Sequence, residues 1–227
     1  RQLVFAQYGE EAYTRGLTVW TTIRQPDQEA AYAAVRRGVT EYDRRHGYRG
    51  PEGYVSVPSN PAEAEPVLDK VFQDFDDSEN LEVAVALEVS PTLVKAVHAN
   101  GELVEIAGEG LKFASRSLAD KTPPNQRIRR GAIIRIAKDD KGRWGIVQMP
   151  QAEAAFVALR PDDGAIVALV GGFDFDRNKY NHATQAQRQP GSAFKPFIYS
   201  AALEKGFSPA TVVNDAPLTV GDWSPSN

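Results

Sequence analysis

The sequence predicts an α+β chain of more than one domain, with a small OB-like β-barrel in its middle and part of an α/β domain after it. Three observations carry this expectation. Between Leu81 and Met149, short β-branched and apolar runs recur at the spacing of a small barrel, punctuated by turn residues. An alanine-rich run of helical composition precedes them, and an apolar run spaced at three and four residues follows. An acidic stretch from Pro61 and an isolated Pro150 mark the seams. The division expected is residues 1–57 as a linker with a strand and a helix that belong with the C-terminal domain, 58–150 as the barrel with an acidic helical lead-in, and 151–227 as the N-terminal part of the α/β domain.

Each element has its own warrant. Leu17-Thr18-Val19-Trp20-Thr21-Thr22-Ile23 alternates apolar and β-branched residues as a strand does. Pro26 opens a helix with Asp27 and Glu29 in its first turn, running toward Asp43; His46 to Gly53 reads as loop. In the acidic stretch, Val67, Leu68, Val71, Phe72 and Phe75 share one helical face. Strands follow at Leu81 to Val89, Leu93 to Ala99 and Leu103 to Ala107, broken by Ser90-Pro91 and by the hairpin pair Asn100-Gly101. Ala132 to Ala137 and Trp144 to Met149 form another pair across Asp139-Asp140-Lys141-Gly142. Beyond Pro150, Ala154 to Leu159 and Ala165 to Val170 are almost wholly apolar around Pro161-Asp162-Asp163-Gly164, which predicts a hairpin inside a well-covered sheet. Turn chemistry accounts for Asp162 and Asp163 without a paired-acid site.

Composition sets the outer bounds. The 227 residues are 42% hydrophobic and 25% charged with a net charge of −4, an ordinary globular profile that gives no reason to expect a nucleic-acid partner. Arg127, Arg129, Arg130, Arg135, Lys138, Lys141 and Arg143 cluster late in the barrel. An OB-like barrel with such a stripe invites single-stranded nucleic acid, but no stacking aromatics accompany it, so solubility and edge protection are the expected roles. The absence of cysteine excludes disulfides, thiol catalysis and cysteine zinc sites, and no cofactor or metal is expected. Arg1 is not an initiator methionine and Asn227 stands at no obvious domain end, so the chain is expected to be a piece of a longer protein. Trp20, Trp144 and Trp223 are expected to pack, and His182, which could touch the site, to lie on the surface.

The chemistry concentrates in Arg188-Gln189-Pro190-Gly191-Ser192-Ala193-Phe194-Lys195-Pro196-Phe197. Pro190-Gly191 is loop punctuation, and Pro196 is tolerated only in a first helical turn, so a helix should begin near Ser192. Phe194, Phe197, Ile198, Ala201 and Ala202 give it an apolar face expected to be core, and Lys205-Gly206 closes it. Residues three apart share a face, so the Lys195 amine can reach the Ser192 hydroxyl and act as the base a serine nucleophile needs. A helix N-terminus adds partial positive charge for an oxyanion. Gln189 and Gly191, with Arg188, are candidates to brace the turn.

The S-x-x-K run, Phe156-Val157-Ala158-Leu159-Arg160-Pro161, Gly164 to Gly172, and Ala183-Thr184-Gln185-Ala186 together closely resemble the transpeptidase domain of bifunctional (class A) penicillin-binding proteins. Phe207-Ser208-Pro209-Ala210, Asn214-Asp215-Ala216-Pro217 and Trp223 to Asn227 continue the likeness, and Gly16 to Ile23 and Tyr42 to Pro51 resemble the family's linker. The resemblance implies an OB-like insert ahead of a β-lactamase/transpeptidase-like domain. It also implies cross-linking of peptidoglycan stem peptides through a serine acyl-enzyme, with Ser192 as nucleophile and Lys195 as general base, and covalent inhibition by β-lactams. Implied partners are stem peptides, glycan strands and an outer-membrane lipoprotein activator at the barrel; the implied location is the periplasmic face of the inner membrane, anchored by an N-terminal segment outside this chain. The family's Ser-X-Asn and Lys-Thr-Gly motifs do not occur after Ser192, so the chain alone is expected to be inactive. A β-lactamase shares S-x-x-K, and a docking module without activity is a further alternative.

Overall fold

The computed structural model of the chain describes residues 2–225, in two compact units that divide after Ala186. Arg1, Ser226 and Asn227, on which the expectation of a truncated chain and the end of the family likeness rest, lie outside the described residues. The architecture is mixed α/β, an OB-like barrel followed by the first elements of an α/β domain.

Two short helices, α1 (Gln2–Tyr8) and α2 (Glu11–Thr14), precede the expected strand at residues 17–23, which does not form. That stretch is irregular, with Trp20 91% exposed. Arg24 donates its N–H to the Val167 carbonyl and the Thr22 hydroxyl donates to the Ile166 carbonyl, and one backbone bond is too little for a ladder. The long helix α3 (Gln25–Arg45) begins as expected, with proline in its first turn.

The barrel comprises β1 (Gly53–Tyr54), β2 (Glu82–Val89), β3 (Leu93–His98), β4 (Leu103–Ala107), β5 (Ala132–Lys138) and β6 (Trp144–Val147). All five expected strands are present, and β1 is an addition, since two residues carry no readable period. The order is β1-β5-β2-β3-β4, all antiparallel; β6 shares the outer edge of β5 with β1 and comes back against β4. Strand alternation sorts the side chains. Ala84, Ala86, Ile134 and Ile136 point into the barrel with Ile106 and Ile146, while Val83, Val85 and Ile133 point outward. Helix α4 (Pro61–Asp74), capped by the Asn60 side chain, covers that outer layer with Val71, Leu68 and Phe72. At Asn100-Gly101, Gly101 sits at φ +80°, the left-handed residue of a three-residue hairpin loop.

Strands β7 (Phe156–Leu159) and β8 (Ile166–Val170) form the expected hairpin. They do not lie in a well-covered sheet: Ala168 and Val170 pack on Ala31, Val35 and Val39 of α3, but Phe156, Val157 and Leu159 are exposed. Only two strands pair here among the described residues, and nothing covers the second face. Asp163 takes the Arg160 guanidinium and the Ala165 N–H, which is turn chemistry.

Two polar joints fix the barrel to α3. Asp43, its side chain 6% exposed, accepts from Arg49 Nη1 (2.7 Å), Gln148 Nε2 (2.7 Å) and the Gln151 N–H (3.2 Å). Arg49 Nη2 reaches the Met149 carbonyl, and its backbone N–H donates to Gln148 Oε1 (2.9 Å). The chain entering the barrel and the chain leaving it are thus tied together on one carboxylate. Two turns earlier on α3, buried Arg36 lies over the Phe173 ring and donates to the Phe173 and Ser78 carbonyls and to Asn80 Oδ1. Ser78 donates its hydroxyl to Asp174. A second buried arginine, Arg135 at 2% exposure, binds Glu52 bidentately (2.8 and 3.0 Å) and the Asp76 and Leu81 carbonyls. It was expected on the exposed stripe; its β5 register instead turns it into the outer layer beside Ile133.

Replacing Asp43 by alanine leaves Arg49 and the buried Gln148 amide without their acceptor and should cost about 3 kcal/mol, read from the urea midpoint. Asp139, hydrogen-bonded by the Arg143 side chain and by the Arg143 and Lys141 N–H groups, has its carboxyl pulled down to about 2 from 3.8. A carboxylate lowered on folding stabilises fully above its unfolded value, so the β5–β6 hairpin should hold at pH 4 and loosen as pH falls toward 2. A carboxyl-carbon NMR titration of Asp139 with its midpoint near 4 would contradict this.

Candidate active site

The residues from Gln187 onward build the expected turn-to-helix junction. Pro190 leads into a 3-10 turn, Gly191–Phe194, and the α-helix α5 (Lys195–Glu204) follows directly with Pro196 in its first turn. The Ala193 N–H donates to the Pro190 carbonyl, and the Lys195 N–H to the Ser192 carbonyl. The second bond sets the geometry that matters. In a 3-10 turn, side chains three apart eclipse one another, so Ser192 and Lys195 leave the backbone on the same side. Gly191, at φ +53°, permits the left-handed step that starts the turn, and exposed Gln189 stands on the approach.

Both candidate catalytic residues are exposed, and among the described residues Lys195 makes no ion pair and Ser192 no side-chain hydrogen bond. No hydrogen bond joins the Ser192 hydroxyl to the Lys195 amine among the described residues; the turn only sets the two side chains on one side of the backbone, at the start of a helix. That set can deliver a serine nucleophile, a proton acceptor and part of an oxyanion site.

At its far end α5 closes as expected. The Phe207 N–H donates to the Ala202 carbonyl and the Gly206 N–H to the Leu203 carbonyl, a Schellman closure with Gly206 at φ +85°. The expected core face is not buried: no residue of α5 is, and Phe197 is 68% exposed. No second helix or sheet among the described residues of this unit is available to cover it. Apolar composition on every side marks a helix built to be enclosed. Trp223, expected to pack, is exposed for the same reason.

The remaining residues singled out lie in the other unit. His182 is half-buried, its Nδ1 held at 2.9 Å from the Gly171 carbonyl and its ring edge-on to Tyr180, so it is a braced side chain and not a surface one. Ser78-Glu79-Asn80 spells the chain's one S-x-N, but all three side chains serve Arg36. Trp144 does pack against the barrel core.

Comparison with known proteins covers both parts of the chain. Residues 48–152 match the penicillin-binding protein OB-like domain, and residues 154–227 match the penicillin-binding protein transpeptidase domain. The full chain is 40% identical to penicillin-binding protein 1A of Neisseria lactamica and 38% identical to that of Pseudomonas aeruginosa, spanning 29% and 28% of their lengths. The crystal structure of penicillin-binding protein 1A from Haemophilus influenzae matches with a TM-score of 0.82 at 33% identity, covering 100% of this chain and 33% of that one.

Replacing Gly206 by alanine forces a side chain into the left-handed region and should weaken the helix end by about 1 kcal/mol. Amide exchange at position 206 and at Phe207 should then quicken about fivefold, with the amides of the barrel unchanged.

Proposed function

The chain belongs to the class A penicillin-binding proteins, and on that premise we propose that it carries the nucleophile and base of a peptidoglycan D,D-transpeptidase. In this proposal Ser192 Oγ attacks the penultimate D-alanine carbonyl of a stem peptide while Lys195 Nζ takes its proton. The Ser192 N–H receives the developing oxyanion. Collapse breaks the peptide bond, the proton on Lys195 passes to the departing D-alanine, and an acyl-serine remains. The amine of a neighbouring stem then attacks the ester and gives its proton to Lys195, which passes it to the departing Ser192 Oγ as the cross-link forms. A β-lactam enters by the same first step, but its leaving group stays tethered, so the acyl-enzyme persists. Gln189 and Gly191 hold the turn in place.

The observation that carries this is the 3-10 turn that eclipses Ser192 and Lys195 at a helix start. The downstream Ser-X-Asn and Lys-Thr-Gly motifs are not spelled in residues 193–227. This stretch therefore lacks the second oxyanion donor and the substrate strand, and the 227 residues alone are inactive. The barrel serves as a docking module for a lipoprotein activator or a glycan strand. The enzyme works at the periplasmic face of the inner membrane through an anchor elsewhere in the protein; among the described residues no helix is long and apolar enough to cross a membrane.

Intact-mass detection of a penicillin adduct on the gene product continuing past Asn227 tests the proposal. A stable adduct should form and vanish in Ser192→Ala, while Lys195→Ala slows acylation by about a hundredfold or more. Rapid turnover of penicillin without accumulation would assign a β-lactamase instead. The bare 227 residues should acylate at least about a hundredfold more slowly than the longer product.

A further inference from the structure

A polar pocket of about 300 Å³ lies between the last turn of α3, the 3-10 helix Gly108–Leu111 and the β5–β6 hairpin. That volume is at the lower end of ligand sites. Its side walls include Arg44, Phe113, Lys138, Asp139, Arg143 and Trp144.

The charges in it do not cancel. Glu109 is taken by Lys112 (2.7 Å), and Asp139 by Arg143 (2.6 and 2.9 Å). Both acids are thereby neutralised. Arg44 and Lys138 have no acidic partner among the described residues. Each instead lies over an aromatic face, Arg44 at 5.3 Å from the Phe113 centroid and Lys138 at 4.6 Å from that of Trp144. The rings are themselves fixed: Phe113 stands edge-on to Tyr48, and Trp144 packs on the barrel core. The C-terminal dipole of α3 favours a cation at Arg44, but it does not account for Lys138. The floor is backbone. A Cβ on Gly110 would fall 2.2 Å from the Trp144 carbonyl and 3.1 Å from Gly145 Cα, so the 3-10 helix seats on β6 only as glycine. In a chain of net charge −4, two uncompensated and pre-oriented cations flank one small cavity.

We propose that this pocket binds the free terminal carboxylate of a peptidoglycan stem peptide, non-covalently and within the insert, so that the barrel holds wall polymer by its peptides. The ligand is named on the basis of the peptidoglycan reading above. The cations fit a carboxylate, the volume fits a short peptide end, and the aromatic walls fit its apolar side chains.

The test titrates Nα,Nε-diacetyl-lysyl-D-alanyl-D-alanine into the Ser192→Ala chain, so that covalent capture plays no part. The Trp144 indole and the Gly110 and Gly145 amides are followed by NMR. Saturable shifts are expected, weakened about tenfold or more for the C-terminal amide of the same peptide and in Arg44→Gln/Lys138→Gln, and weakened also by added salt. Equal binding of acid and amide, no saturable shift at millimolar peptide, or binding unchanged in the double variant would overturn the proposal. Saturation by inorganic phosphate but not by the peptide would overturn it in favour of a free anion. The acid–amide comparison needs no variant, so misfolding of the double substitution cannot obscure the outcome. Penicillin acylation of Ser192 in the longer product is read separately, so the two proposals fail separately.

Discussion

The carboxylate of Asp43 is the point on which the rest of the first unit hangs. Buried near the end of α3, it receives the guanidinium of Arg49, the amide of Gln148 and the N–H of Gln151. Those residues come from where the chain enters the barrel and where it leaves, a hundred positions apart. A buried charge left without partners would be costly, so the network is held as a whole or not at all. Arg36 makes the second joint from the same helix, gathering the lead-in to β2 and the segment after β8. There burial acts to raise the Asp174 carboxyl, yet the Ser78 hydroxyl, the Arg177 and Asp176 N–H groups and Arg36 hold it below its ordinary value. The barrel is consequently fastened at two places to one rigid rod.

What could be read beforehand follows from which signals are local. Alternation and turn residues located the five main barrel strands, because each strand's period and its flanking Asn100-Gly101 or Asp139 to Gly142 lie within a few residues of one another. The fold class and the family likeness rested on the same local grammar. Residues 17–23 carry an equally good strand pattern and form none, since a strand exists only where a partner edge accepts its hydrogen bonds. The joints were illegible for a related reason: nothing in Asp43, Arg49 or Gln148 taken singly tells of the others. Arg135 was placed among surface cations because composition counts charge and cannot see register.

At the candidate-site junction the sequence located the Ser-x-x-Lys pattern and the helix, but not the surroundings. The spacing of Ser192 and Lys195 is a property of four consecutive residues, and the 3-10 turn adds only that they eclipse. The apolar residues of α5 announce a buried helix, yet none of them is buried, since among the described residues nothing in this unit encloses it. Arg44 and Lys138 show the converse case. Each looks like a solvated charge in sequence, and only the fold reveals that the acids beside them are already engaged.

The side-by-side fastening of Arg49 and Gln148 has a topological consequence. A module whose two ends meet on one carboxylate interrupts its host at a single point, as a bead tied into a string does. The host helix α3 and hairpin β7–β8 pack on each other through Val35, Val39, Ala168 and Val170, and Leu81, Ala137 and Val147 from the barrel side pack against the same cluster. A short loop from Arg49 to Gln148 would close the host around the gap. The barrel can thus be exchanged in evolution, or grafted by design, as one piece whose replacement must also cover that cluster and give Arg36 its partners.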